Sequence, residues 1–136
     1  MFKIVHINAV IIGVILSNSV VAGCTPPSVR VTSTLSTILS GNTVCTSDAQ
    51  EEHHVDGSLW DYKRGNGDLI DARSQIGNWE LVTGNLVRYT YGTNIFDFSL
   101  FANQGGTTYS FCDGNIVVAE VTQIVSGIDV GCGFAQ

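Results

Sequence analysis

The run Glu51-Glu52-His53-His54 concentrates four groups able to bind a metal ion or pass a proton into consecutive positions. On a strand, successive side chains point to opposite faces, so Glu51 and His53 would share one face and Glu52 and His54 the other. A single ion could take two ligands from either pair, with a third supplied by Asp56 or Asp61. The simpler expectation is a solvated strand end that holds no metal. His53 and His54 are the only histidines beyond residue 22, so a general base would also have to come from this pair.

Other acids are less well placed for chemistry. Asp68 and Asp71 lie in a polar stretch over residues 64–75 and lack the alternate oxygen ligands and distant Glu of a calcium loop. Glu80, Asp97 and Glu120 alternate with apolar neighbours and are expected to face water. No Gly-x-Ser-x-Gly turn, phosphate-cradling glycine loop or His-Glu-x-x-His helix occurs. The expectation is therefore a noncatalytic protein with no cofactor and no metal; buried carboxylates converging on one point would argue for an enzyme instead.

Four cysteines, Cys24, Cys45, Cys112 and Cys132, are spaced 21, 67 and 20 apart, without the close pairs that zinc sites use. Two disulfides are expected. Strand parity turns Cys112 away from Tyr109 and Phe111, and Cys45 away from Val44, so both should lie outside the aromatic core. One pairing joins Cys45 to Cys112 across the first and last strands, leaving Cys24 for Cys132; a local pairing joins Cys24 to Cys45 and Cys112 to Cys132. Four cysteines allow three connectivities, and spacing does not choose among them.

The elements that must position these groups begin after a leader. Lys3, an apolar run from Ala9 to Leu16, and Val20-Val21-Ala22-Gly23-Cys24 have the form of a secretory signal over residues 1–22, ahead of a single β domain over 23–136. The apolar run falls short of the roughly 20 residues a spanning helix needs, and no transmembrane segment follows in the mature chain. Val21-Ala22-Gly23-Cys24 also resembles a lipobox, which would anchor Cys24 to lipid; a soluble product with an even set of cysteines is preferred. Either way the protein is exported, periplasmic or extracellular.

Beyond Gly41 the pattern is one of period two, broken at Asp56-Gly57, Asn66-Gly67, Gly84-Asn85, Gly92, Gly105-Gly106, Asp113-Gly114 and Ser126-Gly127. Trp79 and Leu81 share one face of a strand over 77–82. Val87, Tyr89 and Tyr91 follow, then Phe96, Phe98 and Leu100, then Tyr109 and Phe111, then Val117, Ala119 and Val121. Weaker strands are expected over 41–47, 50–55 and 58–63. The sum is about eight strands of antiparallel meander, forming an all-β barrel or half-barrel. Val31, Leu35, Ile38 and Leu39 recur at helical spacing within 28–40, so a short N-terminal helix, or a further strand, precedes the barrel.

Leu39-Ser40-Gly41-Asn42-Thr43, Leu59-Trp60-Asp61-Tyr62-Lys63, Ile76-Gly77-Asn78-Trp79-Glu80-Leu81 and Tyr109-Ser110-Phe111-Cys112 together resemble a type of small exported bacterial β domain with an LSGNT start and a Gly-x-Trp strand. The Gly-x-Trp element is also similar to the opening of lipocalin-like barrels, where it lies in the first strand; here several strands precede it. The resemblance implies an exported barrel or half-barrel and carries no functional residue with it.

Charge and aromatics bound the function. Six Lys and Arg stand against twelve Asp and Glu; without Lys3 the mature balance is five to twelve, or −7, which disfavours nucleic acid as a partner. A barrel of about eight strands can hold one small ligand. Trp60, Trp79, Tyr89 and Tyr91 are the aromatic residues expected to line such a site. The expected function is binding of a small apolar ligand, or of a protein partner such as a basic secreted enzyme drawn by the acidic surface. A structural envelope component without a pocket is the alternative.

Overall fold

The computed structural model describes residues 22–61 and 72–133. The leader expected over 1–22 lies outside the described residues except for Ala22, as do Asn66-Gly67, Asp68 and Asp71. The elements run in the order β1 (Val29–Arg30), α1 (Leu35–Leu39), β2 (Asn42–Cys45), β3 (Gln50–His53), β4 (Ser58–Asp61), β5 (Ser74–Val82), β6 (Leu86–Tyr91), β7 (Asn94–Ala102), β8 (Tyr109–Asp113), β9 (Ile116–Val121) and β10 (Gln123–Ser126).

Strands β2 to β10 form a nearly closed antiparallel barrel, one strand more than the alternation suggests. The extra strand arises at the closure. β9 pairs with β8, β10 pairs with β2, and Thr122 alone separates them. One bent run of chain thus supplies both neighbours. Thr122 marks the crossing, its N–H and its hydroxyl both donating to the Cys45 carbonyl at 2.8 and 3.2 Å. Near-closure leaves fewer of the unpaired edges that invite association with other chains.

The inward residues are mostly those the alternation selects; Val117 is an exception, set opposite Cys112 by a register shift and left out of the apolar cluster. Leu59, Val87 and Leu100 are fully buried, and Val44, Trp79, Tyr89, Phe111 and Val121 join them in one cluster. Leu35 and Leu39 of α1, with Val31, enter the same cluster, so the helix packs into the barrel interior. α1 is shorter than the apolar spacing suggests because Val29 and Arg30 are drawn into a ladder with Ala102 and Phe101. Gly41, at φ +73°, then turns the chain into β2, a conformation that costs glycine little.

Two expected inward residues are exposed, Leu81 by 40% and Phe96 by 45%. Pairing of β4 with β5 stops at Ser58–Asn78, and pairing of β7 with β8 begins only at Ser99–Cys112. Leu81 and Phe96 lie beyond those points, on strand ends with a neighbour on one side only.

Gly77 shows why the Gly-x-Trp element needs its glycine. A Cβ there would collide with the Thr90 carbonyl oxygen across the β5–β6 ladder, next to a register shift between Leu59 and Trp60. Gly77→Ala is expected to lower the unfolding free energy by about 1–3 kcal/mol, read from urea unfolding. An unchanged midpoint would contradict this close approach.

Candidate functional site

β3 lies between β2 and β4 and turns Glu51 and His53 into the barrel. The Asp56-Gly57 turn sets the register: Asp56 Oδ1 accepts from the Ser58 N–H at 2.9 Å and its hydroxyl at 2.7 Å. Glu51 then stands directly opposite Asp61, and His53 opposite Leu59. The barrel interior therefore holds two carboxyls and an imidazole facing the tyrosines of β6.

His53 has no exposed surface. Its Nδ1 is 3.3 Å from the Glu51 main-chain carbonyl and its Nε2 is 2.7 Å from the Tyr89 hydroxyl. A carbonyl only accepts, so Nδ1 carries the proton and Nε2 accepts from Tyr89. Burial holds the imidazole neutral and pushes its pKa down to about 4. The ring also meets Trp79 edge-on at 5.1 Å between centroids.

Glu51 is pushed the other way, up to about 7, by burial first and by the neighbouring Asp61 charge second, with a hydrogen bond from Tyr91 opposing both. Burial and the Glu51 charge raise the Tyr91 phenol, which stays protonated and donates. Beside this pair is a cavity of about 160 Å³, lined by Glu51, Tyr89, Tyr91, Phe98, Phe111, Val118 and Ala119. Tyr89 stacks on Tyr91 at an interplanar angle of 12° and meets Phe111 edge-on at 85°. The walls are rigid ring faces and edges, with a single carboxyl among them.

The other half of the acidic run forms a separate cluster on the outside of the barrel. Glu52 Oε2 accepts from Arg73 Nη2 at 2.7 Å and from His54 Nε2 at 2.8 Å, and Oε1 accepts from the Asp129 N–H at 2.9 Å. Arg73 lies over the Trp60 ring, 4.8 Å from its centroid. Burial pushes the Glu52 carboxyl up, but these hydrogen bonds outweigh it and hold the group below the usual carboxylate range. The expected solvated strand end is thus corrected: the Glu52 side chain is fully covered, because the chain near Asp129 folds back over β3. Arg73 and His54, which complete the cover, keep 30% and 17% exposure, so the charge lies just beneath the surface. Arg73→Ala is expected to cost about 2 kcal/mol by stripping a buried carboxylate of its strongest donor, measured by thermal unfolding. A loss confined to a few tenths would show that His54 and Asp129 suffice.

Both pairings weighed for the cysteines are corrected. Cys24 joins Cys112, and Cys45 joins Cys132, at sequence separations of 88 and 87. β2 and β10 are indeed neighbours, but Cys45 stands opposite Gln123 there, while Cys112 is on β8. Each barrel cysteine is instead joined to a segment outside β2–β10, Cys112 to the one holding Cys24 and Cys45 to the one holding Cys132. Asn103 Oδ1 holds the first segment, accepting from the Gly23 N–H and the Ser28 hydroxyl as well as from the Ser110 hydroxyl of β8. Gln50 Oε1 holds the second, accepting from the Cys132 N–H at 2.7 Å.

Of the four aromatics expected to line a ligand site, Tyr89 and Tyr91 border the cavity. Trp79 is committed to packing, its indole donating to the His54 carbonyl at 2.9 Å, and Trp60 belongs to the outer cluster. Phe98, Phe111, Val118 and Ala119 complete the wall. The inward parity of Phe98, Phe111 and Ala119 was visible, but not which of them border an open space; Val118 has the opposite parity and lies beside the register shift at Phe111/Cys112. Glu51 was legible only as a metal ligand; the turn at Asp56-Gly57 carried the signal that pairs it with Asp61. Among the described residues no three of His, Cys, Asp or Glu gather to hold a metal ion. No helix among them is long and apolar enough to cross a membrane. Comparison with family models, with curated proteins and with solved structures yields no match.

Proposed function

We propose that this chain is an exported, noncatalytic binding module whose barrel cavity takes one small, largely apolar ligand. The observation that carries the reading is the cavity of about 160 Å³ walled by Tyr89, Tyr91, Phe98 and Phe111. An engineered cavity of about 150 Å³ admits benzene, so the natural occupant is on the scale of one ring or a short branched chain. Two disulfides support export, since such bonds persist in oxidising compartments. A sulfur already bonded to Cys112 cannot also carry a lipid thioether, which supports the soluble product over a lipid anchor at Cys24.

The test uses Trp79 as reporter in a Trp60→Phe background. Trp79 touches His53, and His53 touches Tyr89 on the cavity wall. Single-ring compounds should produce a saturable fluorescence change in this protein. Ala119→Leu, which fills the cavity with a branched side chain, should abolish it while the protein stays folded. Absence of any saturable change ends the reading.

One observation favours a second reading. Glu51 and Asp61 are opposed inside the barrel, and a carboxyl that titrates near 7 is poised to donate and accept protons. In an acid–base catalyst built on this pair, a bound compound would be recovered altered; in a binding module it is recovered unchanged. Mass analysis of the bound compound after long incubation separates the two.

A further inference from the structure

We propose that the cavity selects a small organic ammonium, one ring or a short branched chain bearing one protonated amine, held against the Glu51 carboxyl. This rests on the reading of the cavity as a ligand site and names the chemistry of its occupant. Among the described residues that line the space, Glu51 is the only carboxyl, and none is basic. The other described lining residues are four aromatic rings, Val118 and Ala119. Aromatic faces carry negative potential and attract cations, so rings and carboxyl favour the same sign of ligand.

The groups around Glu51 agree with that choice. From β4 comes Asp61, a second acid; from β6 come the Tyr91 and Tyr89 phenols, both held protonated; on β3 itself is His53, held neutral. β2 presents apolar Val44 opposite Glu51, and β9 presents Val118 and Ala119. Once Glu51 is ionised, an ammonium in this space offsets the repulsion between the two acids, whereas a neutral ring leaves it in place. Because Glu51 holds its proton up to about pH 7, a cation must displace that proton on binding. Affinity for the amine should therefore rise with pH, while affinity for a neutral isostere should not.

Calorimetric titration of the intact, oxidised protein with benzylamine and with benzyl alcohol tests this. The expected result is benzylamine binding at least about tenfold tighter at pH near 8, with the preference shrinking as pH falls to about 5. Glu51→Gln should bring the two affinities together while keeping the alcohol bound. Equal affinity in the wild type, or a preference that survives both low pH and Glu51→Gln, overturns the ammonium assignment and leaves the cavity reading intact. Failure of both probes to bind overturns the cavity reading and the assignment with it. The pH series on wild type decides the matter even if the variant does not fold.

Discussion

Replacing Cys45 and Cys132 by alanine is expected to lower the unfolding free energy by about 4–5 kcal/mol, and replacing Cys24 and Cys112 by nearly as much. The magnitude follows from loop length. Each bond closes a long loop, spanning 87 residues for one pair and 88 for the other, so each removes a large share of the unfolded chain's freedom. The two loops overlap from Cys45 to Cys112, so the losses will not add in full when both bonds are cut. Losing Cys45–Cys132 should cost more, because it also frees the segment that supplies the Asp129 N–H to Glu52 and the Cys132 N–H to Gln50. Urea unfolding of the two double variants measures this, and peptide mapping of unreduced protein checks the pairing. A midpoint indifferent to either double replacement would show that the bond is not formed in the folded protein.

Glu51 and His53 should pull stability in opposite directions over nearly the same pH range. The Glu51 carboxyl is raised from its ordinary 4.5 to about 7, so between those values the folded chain binds the proton that the unfolded chain has lost. Its presence therefore costs stability as pH rises through that window. His53 is lowered from 6.5 to about 4, so as pH falls through that window the unfolded chain takes up a proton the folded one refuses. Stability from the neutral imidazole is full above 6.5 and is lost toward 4. Each effect amounts to roughly 3 kcal/mol across its window, and in the wild type they largely cancel.

Single replacements unmask them. Glu51→Gln should raise the unfolding free energy by about 3 kcal/mol near pH 8 and change little near pH 4, so that stability climbs with pH. His53→Phe should leave the Glu51 effect alone, and stability should then fall as pH climbs from about 4.5 to about 7. The slopes, not the absolute values, are the signature, since His53→Phe also removes the partner of Tyr89. Parallel pH profiles for the two variants would refute the opposed titrations.

How far the site was legible follows from what strand periodicity can carry. Parity alone separates Glu51 and His53 from Glu52 and His54, and it places Tyr89, Phe98 and Phe111 on one wall. It also turns Cys45 and Cys112 outward, and both lie outside the apolar cluster. What parity cannot carry is whether an outward face meets water. Glu52 reads as solvated on every local criterion, yet Arg73 and the backbone of Asp129 cover it from 21 and 77 residues away. Leu81 and Phe96 fail in the converse sense, since their neighbours on one side run out before the strands do.

By itself the amino-acid sequence determined the all-β class, the hairpin order, the wall that faces inward and the presence of enough cysteines for two bonds. These depend on alternation and on turn residues, which act over a few positions. Only the tertiary structure decided the bent closure at Thr122, the pairing of Cys24 and Cys132 with barrel cysteines, the burial of Glu52 and the opening beside Glu51. Each of these depends on which distant segment comes to lie against a given strand, a matter of barrel stagger and chain return that no local spacing encodes.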